Sequence, residues 1–174
     1  CNFCEIVGIT QLLKEEGRPY FSNTMSIDHL RLFSDFIRSA RKFDIGGVTG
    51  FGEPLLPKHF DQMIAEIRRL NPYGKISLTT NASLLTPDLT DMLVNVVPLR
   101  VTFSLHAASE ETYRKVMGPG YAKVIENISY FCEQARMNGR IKTTINFGLG
   151  KFNLAEAEDM VRLAKKLRID VLYI

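Results

Sequence analysis

The residues best placed to do chemistry are the thiols of the stretch CNFC, Cys1 and Cys4, and a carboxylate, Glu53, set in the glycine-rich stretch TGFGEPLL. Two cysteines three apart can share one small ion or cluster, close a redox disulfide, or supply half of a zinc site. The spacing alone does not choose. Cys132 is the one further cysteine, so a four-cysteine zinc ribbon is excluded, and a disulfide scaffold does not suit a chain of 174 residues with 3 cysteines. A thioredoxin-like pair follows a strand and opens a helix, whereas CNFC runs into EIVGITQLLKEEGRP with no clear strand before it. The pair reads as part of a longer motif.

Glu53 stands between Gly52 and Pro54. Gly50 and Gly52 let backbone groups come close to a ligand, and the proline holds the acid extended. Neither the Walker pattern nor Gly-x-Gly-x-x-Gly is present. A carboxylate beside exposed carbonyls suits an ammonium. The same stretch also reads as a plain glycine-rich turn with Pro57 opening the next helix.

These residues need a scaffold, and the periodicity supplies one. SIDHLRLFSDFIRSA predicts a helix with Ile27, Leu30, Phe33, Ile37 and Ala40 on one face and Ser26 as its cap. A strand follows near FDIGGVTG. PKHFDQMIAEIRRL is helical, KISLTTN a strand, and Thr86-Pro87 opens a short helix. LRVTFSL, RIKTTINF and IDVLYI are further strands, separated by SEETYRKVM, a long helix ending at Asn138-Gly139, and NLAEAEDMVRLAKKL, in which Asn153 and Glu156 have capping-box spacing. Strand and helix alternating at these lengths mean parallel strands joined by helical crossovers.

Parity within the strands separates a sheet from a barrel. Ile76 and Leu78 oppose Ser77, Thr79 and Asn81, while Val101, Phe103 and Leu105 oppose Thr102, Ser104 and His106. In the next strand Ile141, Ile145 and Phe147 oppose Lys142, Thr144 and Asn146. A doubly wound sheet is covered on both faces and its strands are apolar throughout. One polar face per strand predicts a parallel barrel with helices outside and a wet or ligand-filled lumen, wider or less closed than an eight-stranded one. Chemistry belongs at the carboxyl ends of the strands, where Asn81, Ser104, His106 and Asn146 fall. Each alone has an ordinary structural reading. Together they form a ring of neutral hydrogen-bonding groups facing one carboxylate, which fits a zwitterionic, hydroxyl-rich ligand. Cys132 follows Ile125 and Ile128 at helical spacing and reads as core.

CNFC resembles the last part of the cluster motif of the radical S-adenosylmethionine (SAM) enzymes, Cys-x-x-x-Cys-x-aromatic-Cys, with Cys1 as its second cysteine, Phe3 as the aromatic and Cys4 as the third. GFGEP resembles that superfamily's Gly-Gly-Glu-type motif, TTNASLLT its Thr-Asn-Gly strand end, and VTFSLHAASEETYRKVMGPG its fourth strand and following helix. The order is the expected one over essentially the whole chain. Ala82 departs from the pattern, since the family often has glycine there.

The resemblance implies an α/β fold, a partial (β/α)6 TIM-like barrel of parallel strands, with residues 1–174 forming its core domain. The strand that carries the first cluster cysteine, and the C-terminal part, are expected to lie outside this sequence. It implies a [4Fe–4S] cluster bound in part by Cys1 and Cys4, whose open iron holds the amino and carboxylate groups of S-adenosyl-L-methionine. Gly50, Gly52 and Glu53 would meet the SAM ammonium, the backbone near Phe3 the adenine, and Asn81, Ser104 and Asn146 its polar atoms. Reduction of the cluster would cleave SAM to a 5′-deoxyadenosyl radical that takes hydrogen from an unidentified substrate. An electron donor such as flavodoxin or ferredoxin is implied as partner, in the cytoplasm. No residue is assigned as catalytic on the substrate.

Two other readings stand beside this one. The first is a non-radical barrel binding an amino-acid-like ligand, with CNFC a redox or metal remnant. The second is an RNA-modifying or RNA-binding barrel, prompted by a pI near 8.8. Against a nucleic-acid patch, the basic groups Arg38, Arg41 and Lys42, then Arg68 and Arg69, then Lys165, Lys166 and Arg168 fall at predicted helix ends, where cations complement the dipole. The net charge is only +3, and 45% of residues are hydrophobic, enough for a real core. No uncharged apolar run approaches the roughly 20 residues of a membrane span.

Overall fold

The computed structural model describes residues 12–17, 26–44 and 52–174. Cys1, Phe3, Cys4 and Gly50 therefore lie outside the described residues. Five parallel strands form one sheet whose spatial order equals the chain order: β1 (Lys42–Asp44), β2 (Lys75–Thr80), β3 (Leu99–Ser104), β4 (Ile141–Asn146) and β5 (Val171–Tyr173). The sheet is an open, TIM-like parallel array, with no closure between its first and last strands among the described residues.

The helices are α1 (Ile27–Leu32), α2 (Ser34–Ser39), α3 (Phe60–Leu70), α4 (Pro87–Val94), α5 (Glu110–Val116), α6 (Tyr121–Arg136) and α7 (Ala157–Lys166). Their starts follow from local chemistry. Ser26, Thr86 and Ser109 each accept a backbone N–H from the first turn of α1, α4 and α5, and Pro87 takes the first position of α4, where its missing N–H costs nothing. At its other end, α3 is closed by a long-range device. Arg68 Nη1 donates to the carbonyls of Asn71, Pro72 and Gly74 at 2.9–3.3 Å, while Asn71 Nδ2 reaches the carbonyls of Ile37 and Ala40, both at 2.6 Å.

The parity expectation holds. Ile76, Leu78, Val101, Phe103, Ile141 and Ile145 are all at most 5% exposed and face the helices. Phe103 meets Phe131 of α6 edge to face, with centroids 5.7 Å apart. On the opposite face the register aligns Ser77, Arg100 and Lys142 in one row, Thr79, Thr102, Thr144 and Val171 in the next, and Ser104, Asn146 and Tyr173 in a third.

Two local expectations are corrected. The predicted helix over 26–40 breaks at Phe33, which closes α1 and precedes α2. Leu30 and Ile37 stay buried, but the break turns Phe33 off the stripe and leaves it 54% exposed. Asn153 and Glu156 form no capping box. Asn153 precedes a 3₁₀ turn, Leu154–Glu156, without a side-chain cap bond, because both side chains are engaged across the strand ends.

Candidate active site

Glu53 is held at the end of β2. Its carboxylate accepts from Thr80 Oγ1 at 2.6 Å, from the Asn81 N–H at 2.8 Å and from the Leu55 N–H at 3.3 Å. Burial raises its pKa above the ordinary value, and the three hydrogen bonds, Thr80's first, oppose that rise without cancelling it. A carboxylate offers about four lone-pair directions. Among the described residues three are taken, and the one remaining would be best used by a cation. Gly52 precedes it at φ 135°, a conformation that favours glycine, with nothing within 4 Å of where a Cβ would stand.

The turn after β2 is pinned from several sides. Thr80 Oγ1 accepts the Ala82 N–H at 3.0 Å, Asn81 Oδ1 accepts the Ser83 N–H at 2.8 Å, and Asn127 Nδ2 from α6 donates to the Ala82 carbonyl at 2.8 Å. Ala82 is fully buried at φ 62°. A left-handed alanine there gives the physical reason a glycine suits this position.

Along the sheet, Ser104 and Asn146 are register partners on the polar face, and Asn146 in turn aligns with Tyr173. Ser104 and Asn81 are half-buried, and Asn146 is exposed. One row below, Thr144 is 1% exposed and its Oγ1 has no hydrogen-bond partner. A buried hydroxyl left unpaired is costly, so that face has unmet capacity for a polar ligand or water.

His106 is buried and accepts the Gly148 N–H on Nδ1 at 2.9 Å, which places its proton on Nε2. Burial lowers its pKa. Asn153 ties the same region together, accepting from the Gly150 N–H at 2.7 Å and donating to the carbonyls of His106 and Gly148, both at 2.9 Å. Glu156 accepts from the Ala108 N–H at 2.8 Å and from the Ser109 hydroxyl, and Tyr121 donates to the Ala108 carbonyl at 2.6 Å. Beside this braced loop lies an apolar hollow of about 340 Å³ between Val116 and the 148–153 segment. Cys132 is core, 3% exposed, and burial pushes its thiol up to about 12.

The structure thus brings Glu53 and Asn81 into direct contact, and sets Ser104 beside Asn146 on the polar face. Thr80 and Asn127 were not anticipated. Both carried a signal: Thr80 shares the apolar parity of Ile76 and Leu78, and Asn127 lies among Val124, Ile128 and Phe131 on the buried side of α6. A polar residue at a core position needs a partner. Among the described residues no group of His, Cys, Asp and Glu could hold a metal ion. No described helix is long and apolar enough to cross a membrane.

Known proteins match this arrangement. The family model of the Radical SAM superfamily matches residues 1–164. A "Probable GTP 3′,8-cyclase" of Saccharolobus solfataricus is 31% identical over all of this chain and 51% of its own length. One of Metallosphaera sedula is 33% identical over 79% of this chain and 42% of its own. The chain spans about half the length of the curated relatives it matches. Among solved structures, Streptococcus suis SuiB bound to its precursor peptide SuiA superposes with a TM-score of 0.62 at 20% identity, covering 82% of this chain and 31% of that one. SuiB bound to S-adenosylmethionine gives 0.59 at 22%, over 70% and 27%. At those identities the likeness is one of fold. Radical SAM enzymes work with a [4Fe–4S] cluster and SAM, and with a family model covering nearly its whole length, this chain belongs to the radical SAM superfamily.

Proposed function

We propose that residues 1–174 are one core domain of an enzyme that binds SAM at the carboxyl ends of its strands and takes a hydrogen atom from a purine nucleotide. The observation that carries the SAM site is Glu53. Its carboxylate is buried enough for its pKa to rise, yet keeps one acceptor direction unused among the described residues. An ammonium would fill that direction and offset the burial. The register partners Ser104 and Asn146 supply the neutral polar surface that a ribose and an adenine need.

When bound, the cluster and SAM supply the chemistry, reductive cleavage of SAM to a 5′-deoxyadenosyl radical. The chain's own residues bind and orient. Glu53 accepts from the SAM ammonium, Gly52 and Gly50 let the backbone approach it, and Asn81, Ser104 and Asn146 hydrogen-bond the nucleoside part. Cys1 and Cys4 would ligate iron, with the backbone near Phe3 on the adenine, as the family motif implies. The braced 148–153 loop borders the side from which substrate would enter.

The nucleotide reading is supported by the relatives, whose name describes joining ribose C3′ of GTP to purine C8. Such a closure requires loss of the C3′ hydrogen. Cluster-loaded protein, SAM, a strong reductant and GTP deuterated at C3′ should give 5′-deoxyadenosine carrying deuterium. Unlabelled 5′-deoxyadenosine would refute the substrate while leaving the SAM chemistry standing, and no 5′-deoxyadenosine at all would refute both.

A further inference from the structure

We propose that the amino-terminal end of the sheet is a second binding surface, one that takes the phosphate backbone of a single-stranded nucleic acid. Lys42 and Lys75 are register partners in β1 and β2, and Arg100 and Lys142 are partners in β3 and β4. Arg140, two residues before Lys142, shares its parity, as Lys75 shares that of Ser77. Five exposed cations therefore line the lower mouth of the polar sheet face, at the end away from Glu53. Asp44 is the acid aligned with Ser77 in that row by register.

On the helices, Arg38 pairs with Asp35, Arg69 with Glu66, Arg114 with Glu110 and Arg162 with Asp159, all within 3.0 Å. None of the five cations of the lower mouth has an ion-pair partner among the described residues. Like charges directly opposite on neighbouring strands repel, so Lys42 against Lys75 and Arg100 against Lys142 cost stability unless an anion covers them.

Three further features mark the same rim. Arg68, which staples the 71–74 turn, has its Nε and Nη2 buried without an acceptor. Tyr73 in that turn is 88% exposed, and Met137, in the turn leading to β4, is 89% exposed. Cations at strand spacing of about 4.8 Å with an exposed aromatic side chain in the adjoining turn are the requirements for tracking a phosphodiester chain and stacking a base.

The test is fluorescence anisotropy of the full-length protein with a labelled 12-nucleotide oligo(U). Binding should be on the order of 10 μM or tighter at 50 mM salt, with log K falling against log salt at a slope of about −3, as four phosphate contacts require. Arg100→Glu with Lys142→Glu should weaken it at least tenfold and reduce the slope by about 1.4. The neutral pair Arg140→Gln with Lys75→Gln, checked for an unchanged melting curve, should show the same trend and guards against a misfolded double variant. Tyr73→Ala should weaken binding about tenfold with the slope intact. SAM binding should be unaffected in each. Absence of binding at 50 mM salt overturns the proposal. So does equal affinity for poly-L-glutamate with no effect of Tyr73→Ala, which would make the partner an acidic protein.

Discussion

Glu53→Gln separates a carboxylate that binds ligand from one that only braces the end of β2. In the wild type, two short bonds, from Thr80 Oγ1 at 2.6 Å and the Asn81 N–H at 2.8 Å, end on different oxygens of the carboxylate, Oε1 and Oε2. Charge-assisted bonds of this kind contribute roughly 1.5–3 kcal/mol each, so losing both with Glu53→Ala costs about 3–6 kcal/mol. Burial already penalises the charge, as the raised pKa records, and removing it returns part of that cost, leaving about 2–3 kcal/mol. Glutamine keeps an acceptor for Asn81 and turns a donor toward a hydroxyl that can reorient to accept, so its cost is about 1 kcal/mol. The fold should survive. An ammonium facing an amide in place of a carboxylate loses a charge-assisted bond, so calorimetric titration of SAM into cluster-loaded protein should show affinity about 10- to 100-fold weaker. The pH behaviour has a definite sign. A folded-state pKa raised above its unfolded value means that the native state holds its proton more tightly. The stability contributed by the protonated form is therefore lost as pH rises through the window just above the ordinary glutamate value of 4.5. Glu53→Gln should flatten that fall. Equal SAM affinity for wild type and Gln, together with a cost near 1 kcal/mol, would leave Glu53 a structural brace and remove it from the ligand site.

Other outcomes follow from the same geometry. Ala82→Gly relieves a left-handed alanine worth about 1–2 kcal/mol, but gives up a buried methyl of about 0.8 and adds unfolded-state entropy of about 0.4–1, so urea unfolding should move by less than about 1 kcal/mol. Ala82→Val, β-branched at φ 62°, should cost clearly more. Asn153→Ala, which removes three hydrogen bonds at a site 3% exposed, should destabilise by about 2–4 kcal/mol and open the 148–153 loop to tryptic cleavage after Lys151. With its thiol pushed up to about 12, Cys132 at pH 8 should label about a thousandfold more slowly in the native protein than in urea, read by mapping its peptide.

The parts of the fold that were legible in the sequence are those written in short-range pattern. Val101, Phe103 and Leu105 alternate with Thr102 and Ser104, and that alternation alone placed the strand's two faces. Thr86-Pro87 announced its helix by a cap and a proline that act within one turn. What escaped was long-range. Glu156 looked like a local cap for Asn153, but Ser109, 47 residues away, offered it a hydroxyl, and nothing near Glu156 in sequence signals that choice. The bond from Glu53 to Thr80 spans 27 residues and was equally silent, although Thr80's place on an apolar parity marked it as needing a partner. Phe33 was misread because helical periodicity cannot show where a stripe is interrupted when both halves keep their own buried anchor, here Leu30 and Ile37.

The equality of chain order and spatial order in the sheet has a consequence for assembly. Each described strand finds its neighbour one crossover away, as when Leu78 aligns with Val101 and Val101 with Thr143, so among the described strands none waits for a distant segment to be synthesised. The chain can be completed one strand-and-helix unit at a time, each new strand templated on the last. The hierarchy of opening should mirror that growth. β3, paired along its length on both sides, should exchange its amide hydrogens only with global unfolding, while the three-residue strands β1 and β5 should exchange through local fraying.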